Sequence, residues 1–102
     1  MTQVSITQLR HLIRTLSYVV SNHAADELED DNLTILDLEN IILTGQIVER
    51  QRDRETRETR ETRETRETKC VIQGSTLEEA AGEVVAKIGL SGKLIIITVY
   101  LY

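Results

Sequence analysis

The chain has 102 residues, 40 % hydrophobic and 28 % charged, with a net charge of −5, two histidines and one cysteine. That is one domain around one core, and an acidic balance disfavours non-specific nucleic-acid binding, which draws its affinity from Lys and Arg on phosphates. The opening MTQVSITQLRHLIRTL has no signal-peptide core and no apolar run is long enough to span a bilayer, so a cytoplasmic location is expected.

In chain order, Leu9, Leu12, Ile13 and Leu16 fall at helical spacing behind Thr7, a candidate N-cap. Tyr18-Val19-Val20 is β-branched and aromatic but too short for an independent strand. Ser21 can cap a second helix beginning SNHAADELEDD. Thr34 with Asp37 resembles a capping box, and Ile35, Leu38, Ile41 and Ile42 form the apolar stripe of the helix that follows, to Leu43. Gly45 stands where a left-handed C-terminal residue is expected.

Residues 46–50 then alternate as a strand, with Cys70-Val71-Ile72-Gln73 as its antiparallel partner. Cys70 reads as a buried strand residue, unable to form an internal disulfide. Ser75 to Gly82 reads as a loop with a helical turn at Leu77 to Ala80. Val84–Ile88 and Leu94–Leu101 read as two strands joined by Leu90-Ser91-Gly92-Lys93. In the last strand Ile95, Ile97, Val99 and Leu101 are expected to meet the helices, leaving Tyr100 with Lys87 on an open face. The fold class is α+β: N-terminal helices on one face of a twisted antiparallel sheet of about four strands.

Between the first two of those strands lies RETRETRETRETRET, five copies of Arg-Glu-Thr at residues 54–68. From Arg50 to Lys69 seven Arg and one Lys face one Asp and five Glu, a net +2, which leaves −7 on the rest of the chain. Three polar residue types make no core. The run, with its flanks at 51–69, reads as a hairpin insertion in a single domain, a protruding arm suited by its edges and mixed charge to homo-oligomer formation.

The segments SNHAADELEDDNLTILDLENIILTGQIVERQRD, KCVIQG and VVAKIGLSGKLIIITVY together resemble an uncharacterised bacterial domain family, frequent in cyanobacteria. Its pattern runs Ser-x-His-Ala, two helices, an L-x-G-x-I-[IV]-E turn into a hairpin, and a terminal I-T-V-Y. Members look like small toxins of the RelE, ParE and MqsR type, encoded beside a zinc-finger and helix-turn-helix antitoxin. The resemblance therefore implies a toxin of a toxin–antitoxin pair, acting on RNA as a metal-independent ribonuclease without a cofactor. In much of the family the helix after the histidine reads H-A-x-x-R-M-x-x-R-G-I; here those arginine positions hold Glu27 and Asp31, and the glycine position Asn32.

His23 fits general acid or base work through its ordinary pKa near 6.5, or else holds a helix start by hydrogen bonding. Lys87 and Tyr100, like the Lys and Tyr groups of such toxins, can stabilise the pentacoordinate phosphate and donate a proton; as structure, they are a snorkelling lysine and a cross-strand aromatic. Arg50, Arg52 and Arg54 can bind RNA phosphates or form an ion-pair ladder with neighbouring acids. The acidic cluster Asp26, Glu27, Glu29, Asp30 and Asp31 suits a basic antitoxin tail, weakly a divalent cation, or simply solvent. The alternative to a toxin enzyme is a non-enzymatic binding or assembly module whose repeat arm mediates oligomerisation.

Overall fold

A hydroxyl starts each of three helices. In the computed structural model, which describes residues 4–52 and 68–102, Ser5 Oγ accepts the Gln8 N–H at 3.2 Å and opens α1 (Ile6–Arg14). The cap is Ser5 rather than Thr7. Leu9 and Ile13 are buried, but Leu16 lies past the helix end at φ 57 and is 72 % exposed, so the expected stripe is one residue too long. Ser21 accepts the Ala24 N–H at 3.0 Å to open α2 (Asn22–Asp30), which buries Ala24 and Leu28. Asn32, just beyond it, has φ 55, a left-handed position that Asn tolerates better than most residues.

The capping box at Thr34 is present and opens α3 (Ile35–Thr44). Leu38, Ile41 and Ile42 are buried while Ile35 is exposed. Gly45 is not left-handed, with φ −91 and ψ −179. Glycine is required there by close approach: a Cβ would stand 2.5 Å from the Gln73 and Ile41 carbonyl oxygens. Arg10 Nη2 donates to the Gly45 carbonyl at 2.8 Å and ties α1 to this corner.

The sheet has five strands: β1 (Tyr18–Val20), β2 (Gln46–Arg52), β3 (Thr68–Ser75), β4 (Ala81–Ile88) and β5 (Leu94–Leu101), in the order β1-β5-β4-β3-β2. The class is α+β as expected, but the sheet is mixed. Three residues suffice for β1 because β5 offers a complete edge, with Tyr18 opposite Leu94 and Val20 opposite Ile96 in parallel. The β4–β5 turn closes through Gly89 N–H to the Lys93 carbonyl and Gly92 N–H to the Gly89 carbonyl, each 2.9 Å, with Gly92 at φ +86. The loop after β3 is a turn in which Thr76 N–H donates to the Ala80 carbonyl, so β4 begins at Ala81, three residues earlier than expected.

All three helices lie on one side, where their apolar residues meet Cys70, Ile72, Val84, Ala86, Leu94, Ile96 and Val99. The expected alternation of β5 is overturned in its first half. Val85 pairs with Thr98 but Ala86 with Ile96, so Ile97 is an extra residue and side-chain facing switches there. Leu94 and Ile96 therefore enter the core in place of Ile95 and Ile97, and Val99 enters it beyond the bulge. Of the arm expected at 51–69, residues 53–67 lie outside the described residues; at its base Gln51 pairs with Lys69 and Arg52 with Thr68 across β2 and β3.

Candidate functional site: the sheet face opposite the helices

With every helix on one side, alternation and register assign the opposite face to Lys69, Val71 and Gln73 of β3, Glu83, Val85 and Lys87 of β4, and Thr98 and Tyr100 of β5. Lys87 and Tyr100 share this face, as the sequence led one to expect. Tyr100 stands opposite Glu83 and Lys87 opposite Ile95, four positions of β4 apart, about 13 Å along the strand.

The least expected member is Glu83, only 6 % exposed on a face that none of the described helices covers. Its Oε1 accepts from Gln73 Nε2 at 3.1 Å and from the Tyr102 hydroxyl, which in turn accepts from Gln73. Tyr102 itself is 67 % exposed, and its ring meets that of Tyr100 edge-on, centroids 6.0 Å apart at 70°. Donation to the Glu83 carboxylate raises the Tyr102 phenol above its ordinary pKa. The pairing of Gln73 with Glu83 is not legible in the sequence, where the expected strand begins at Val84 and leaves Glu83 outside it. Once β4 starts at Ala81, strand alternation alone places both on one face.

His23 opens α2 at the edge of β5, its side chain facing solvent and Nε2 lying 3.3 Å from Glu27 Oε1. That oxygen also accepts the Val99 backbone N–H at 3.0 Å, so His23 lies beside the residue preceding Tyr100. Ser21 adds two bonds along the same edge, its N–H to the Ile96 carbonyl and its Oγ to the Ile97 carbonyl. His23 and Tyr100 thus belong to one end of β5, whereas Lys87 stands level with Ile95 near the other.

Of the arginines, Arg50 pairs with Cys70 on the helix-bearing side and its Nη2 donates to the Val4 carbonyl at 2.9 Å. Arg52 is the last residue of β2, and Arg54 lies outside the described residues. In the acidic cluster Glu27 is occupied by Val99, and Asp31 lines a shallow cleft of about 260 Å³ with Asp37, Thr76 and Glu78. Among the described residues no three His, Cys, Asp or Glu side chains are grouped as metal ligands. None of their helices is long and apolar enough to cross a membrane.

Two further groups are shifted away from the site. Burial pushes the Tyr18 phenol up to about 12, reinforced by its 2.5 Å hydrogen bond to Glu39. Burial likewise pushes the Cys70 thiol up, against the opposing charge of Arg50.

Fold and face define a small α+β domain whose mixed sheet carries helices on one side and a Lys, Tyr and carboxylate surface on the other. The family pattern of DUF4258, a domain of unknown function, matches residues 20–101, and the chain belongs to that family. No curated protein and no solved structure matches the chain.

Proposed function

We propose that the protein is the toxin of a toxin–antitoxin pair, of the RelE, ParE and MqsR kind, cleaving RNA in the cytoplasm without a metal and neutralised by a cognate antitoxin of the zinc-finger or helix-turn-helix type. The observation that carries this reading is the sheet face opposite the described helices, with Lys87 and Tyr100 on it. A half-buried lysine and an exposed phenol on one face are suited to phosphate and stacked bases. In such cleavage a base takes the proton of the 2′-hydroxyl, the oxygen attacks the adjacent phosphorus, and the bond to the 5′-oxygen breaks. That oxygen leaves with a proton from an acid, and a 2′,3′-cyclic phosphate remains. His23 serves as the base and Tyr100 as the acid, while Lys87, about 13 Å farther along β4, serves as the cation on a flanking phosphate of the same strand.

The test is expression with and without the neighbouring antitoxin, together with purified protein on RNA in the presence of a chelator. Growth arrest, cyclic phosphate ends, at least a hundredfold loss of cleavage in Tyr100→Phe and weaker RNA binding in Lys87→Ala, each with an unchanged melting temperature, are expected. Intact RNA and silent substitutions would reject the enzyme.

A second reading, an assembly module whose repeat arm joins copies of the chain, is supported by the pairing of Arg52 with Thr68, which brings the two ends of the run together at one end of β2 and β3. Light scattering of a chain cut to one repeat unit then shows a smaller oligomer than the full chain.

A further inference from the structure

Gln73 and Glu83 are directly opposed across β3 and β4 on the face opposite the described helices. Gln73 Nε2 donates to Glu83 Oε1 and to the Tyr102 hydroxyl, and the bonds that Gln73 and Tyr102 make to the carboxylate both fall on Oε1. Tyr100, the cross-strand neighbour of Glu83 on the other side, supplies an aromatic ring at the same level. A carboxylate this poorly hydrated favours a ligand that brings its own donors.

We propose that Gln73 and Glu83 form a guanine-reading subsite for single-stranded RNA, with Tyr100 as the surface on which the base stacks. This rests on the RNA reading above and names the base that the face selects. Of the four RNA bases only guanine has two adjacent donors, N1–H and the 2-amino group, next to an acceptor, O6. The donors match the two carboxylate oxygens of Glu83, and O6 matches the amide N–H of Gln73, which turns from Oε1 to the base. Tyr102 keeps its bond to Glu83 and holds the carboxylate in place. Adenine offers one donor to the carboxylate, and so do cytosine and uracil. An arginine of a protein partner would satisfy Glu83 but, having no acceptor, offers Gln73 nothing beyond the Tyr102 hydroxyl it already reaches.

Fluorescence anisotropy with the labelled pentanucleotides UUGUU, UUIUU and UUAUU tests this, since inosine differs from guanine only by lacking the 2-amino group. The wild-type chain is expected to bind UUGUU roughly 10-fold to 100-fold more tightly than UUIUU, the worth of one hydrogen bond to a charged group. Glu83→Gln abolishes that preference, and Tyr100→Ala weakens all three alike. The wild-type comparison needs no variant, so it decides the matter even if Glu83→Gln fails to fold. Equal binding of the three oligonucleotides, or a guanine preference that survives Glu83→Gln, overturns the subsite and leaves RNA binding standing. No binding of any of them, with an arginine-rich peptide bound instead, overturns both and marks the face as a protein contact.

Discussion

Glu27 Oε1 accepts the Val99 backbone N–H at 3.0 Å, so a helix side chain completes the edge of β5 where β1 has already ended. Ser21 covers the Ile96 and Ile97 carbonyls, and Glu27 takes the next exposed donor. An edge strand is thereby closed without a further strand. Glu27→Ala is expected to cost about 1–2 kcal/mol, the worth of a hydrogen bond to a charged group, seen as a lower urea midpoint and faster hydrogen exchange at Val99. Glu27→Gln keeps an acceptor and loses less. Glu27→Arg removes it and loses at least as much as alanine, while His23→Ala changes stability by under about 0.5 kcal/mol because that pair is solvent-exposed.

Asp37 holds two segments together. Its Oδ2 accepts the Thr34 N–H at 2.9 Å and its Oδ1 the Leu77 N–H at 3.0 Å, so one buried carboxylate caps α3 and pins the turn between β3 and β4. The Thr34 and Leu77 backbone bonds hold its pKa below the ordinary carboxylate value, against the opposing effect of burial. A lowered folded pKa means that the stabilisation is complete above the unfolded value, near 3.9, and is lost as pH falls through the folded one. Asp37→Asn is expected to cost about 1–3 kcal/mol at pH 7. Urea titrations of both chains from pH 7 to pH 2 should show that gap narrowing below about pH 4; a constant gap would contradict the role.

Local signals in the sequence were easy to read and non-local ones were not. The Thr34 and Asp37 box and the Ser21 cap are three-residue relationships, complete within one helical turn, and they name their helices directly. Tyr18 to Val20 carries too little of its own to declare a strand, since its pairing is supplied by β5, more than seventy residues on. The bulge at Ile97 left no trace because Ile95, Ile96 and Ile97 are the same residue, so either face is equally apolar. Lys87 and Tyr100 were legible as a shared face through alternation alone. Glu83 and its bond to Tyr102 depend on where β4 begins, which the turn at Thr76 decides.

Gly45 and Gly74 are close to each other where α3 passes over β3, and neither has a positive φ. A Cβ on Gly74 would stand 2.1 Å from the Ile41 carbonyl oxygen and 2.9 Å from Gly45 Cα, and neither backbone atom can swing aside as a side chain does. Gly74→Ala and Gly45→Ala are therefore each expected to destabilise by more than about 2 kcal/mol, through separation of the helix from the sheet. Gly92→Ala has open space around it and suffers only from its φ of +86, about 1 kcal/mol. Thermal unfolding of the three variants should rank them in that order, with Gly92→Ala the mildest.

Cys70 reports on the core from inside it. The side chain is buried between the helices and β4, opposite Ala86, and burial raises the thiol above its ordinary pKa, so both access and thiolate fraction are low. Reaction with a thiol reagent such as DTNB at pH 8 then proceeds only through opening. With a stability of about 5 kcal/mol the native rate should fall some 10³-fold or more below that in urea above the midpoint. Cys70→Ala removes one sulfur from packed surroundings, at about 1 kcal/mol. Cys70→Ser is closer in size yet is expected to cost more, because its hydroxyl needs a hydrogen bond that an apolar core does not supply. The reverse order, or native labelling at the rate of a free thiol, would mean that β3 opens locally near Arg50 and Lys69 without the rest of the sheet.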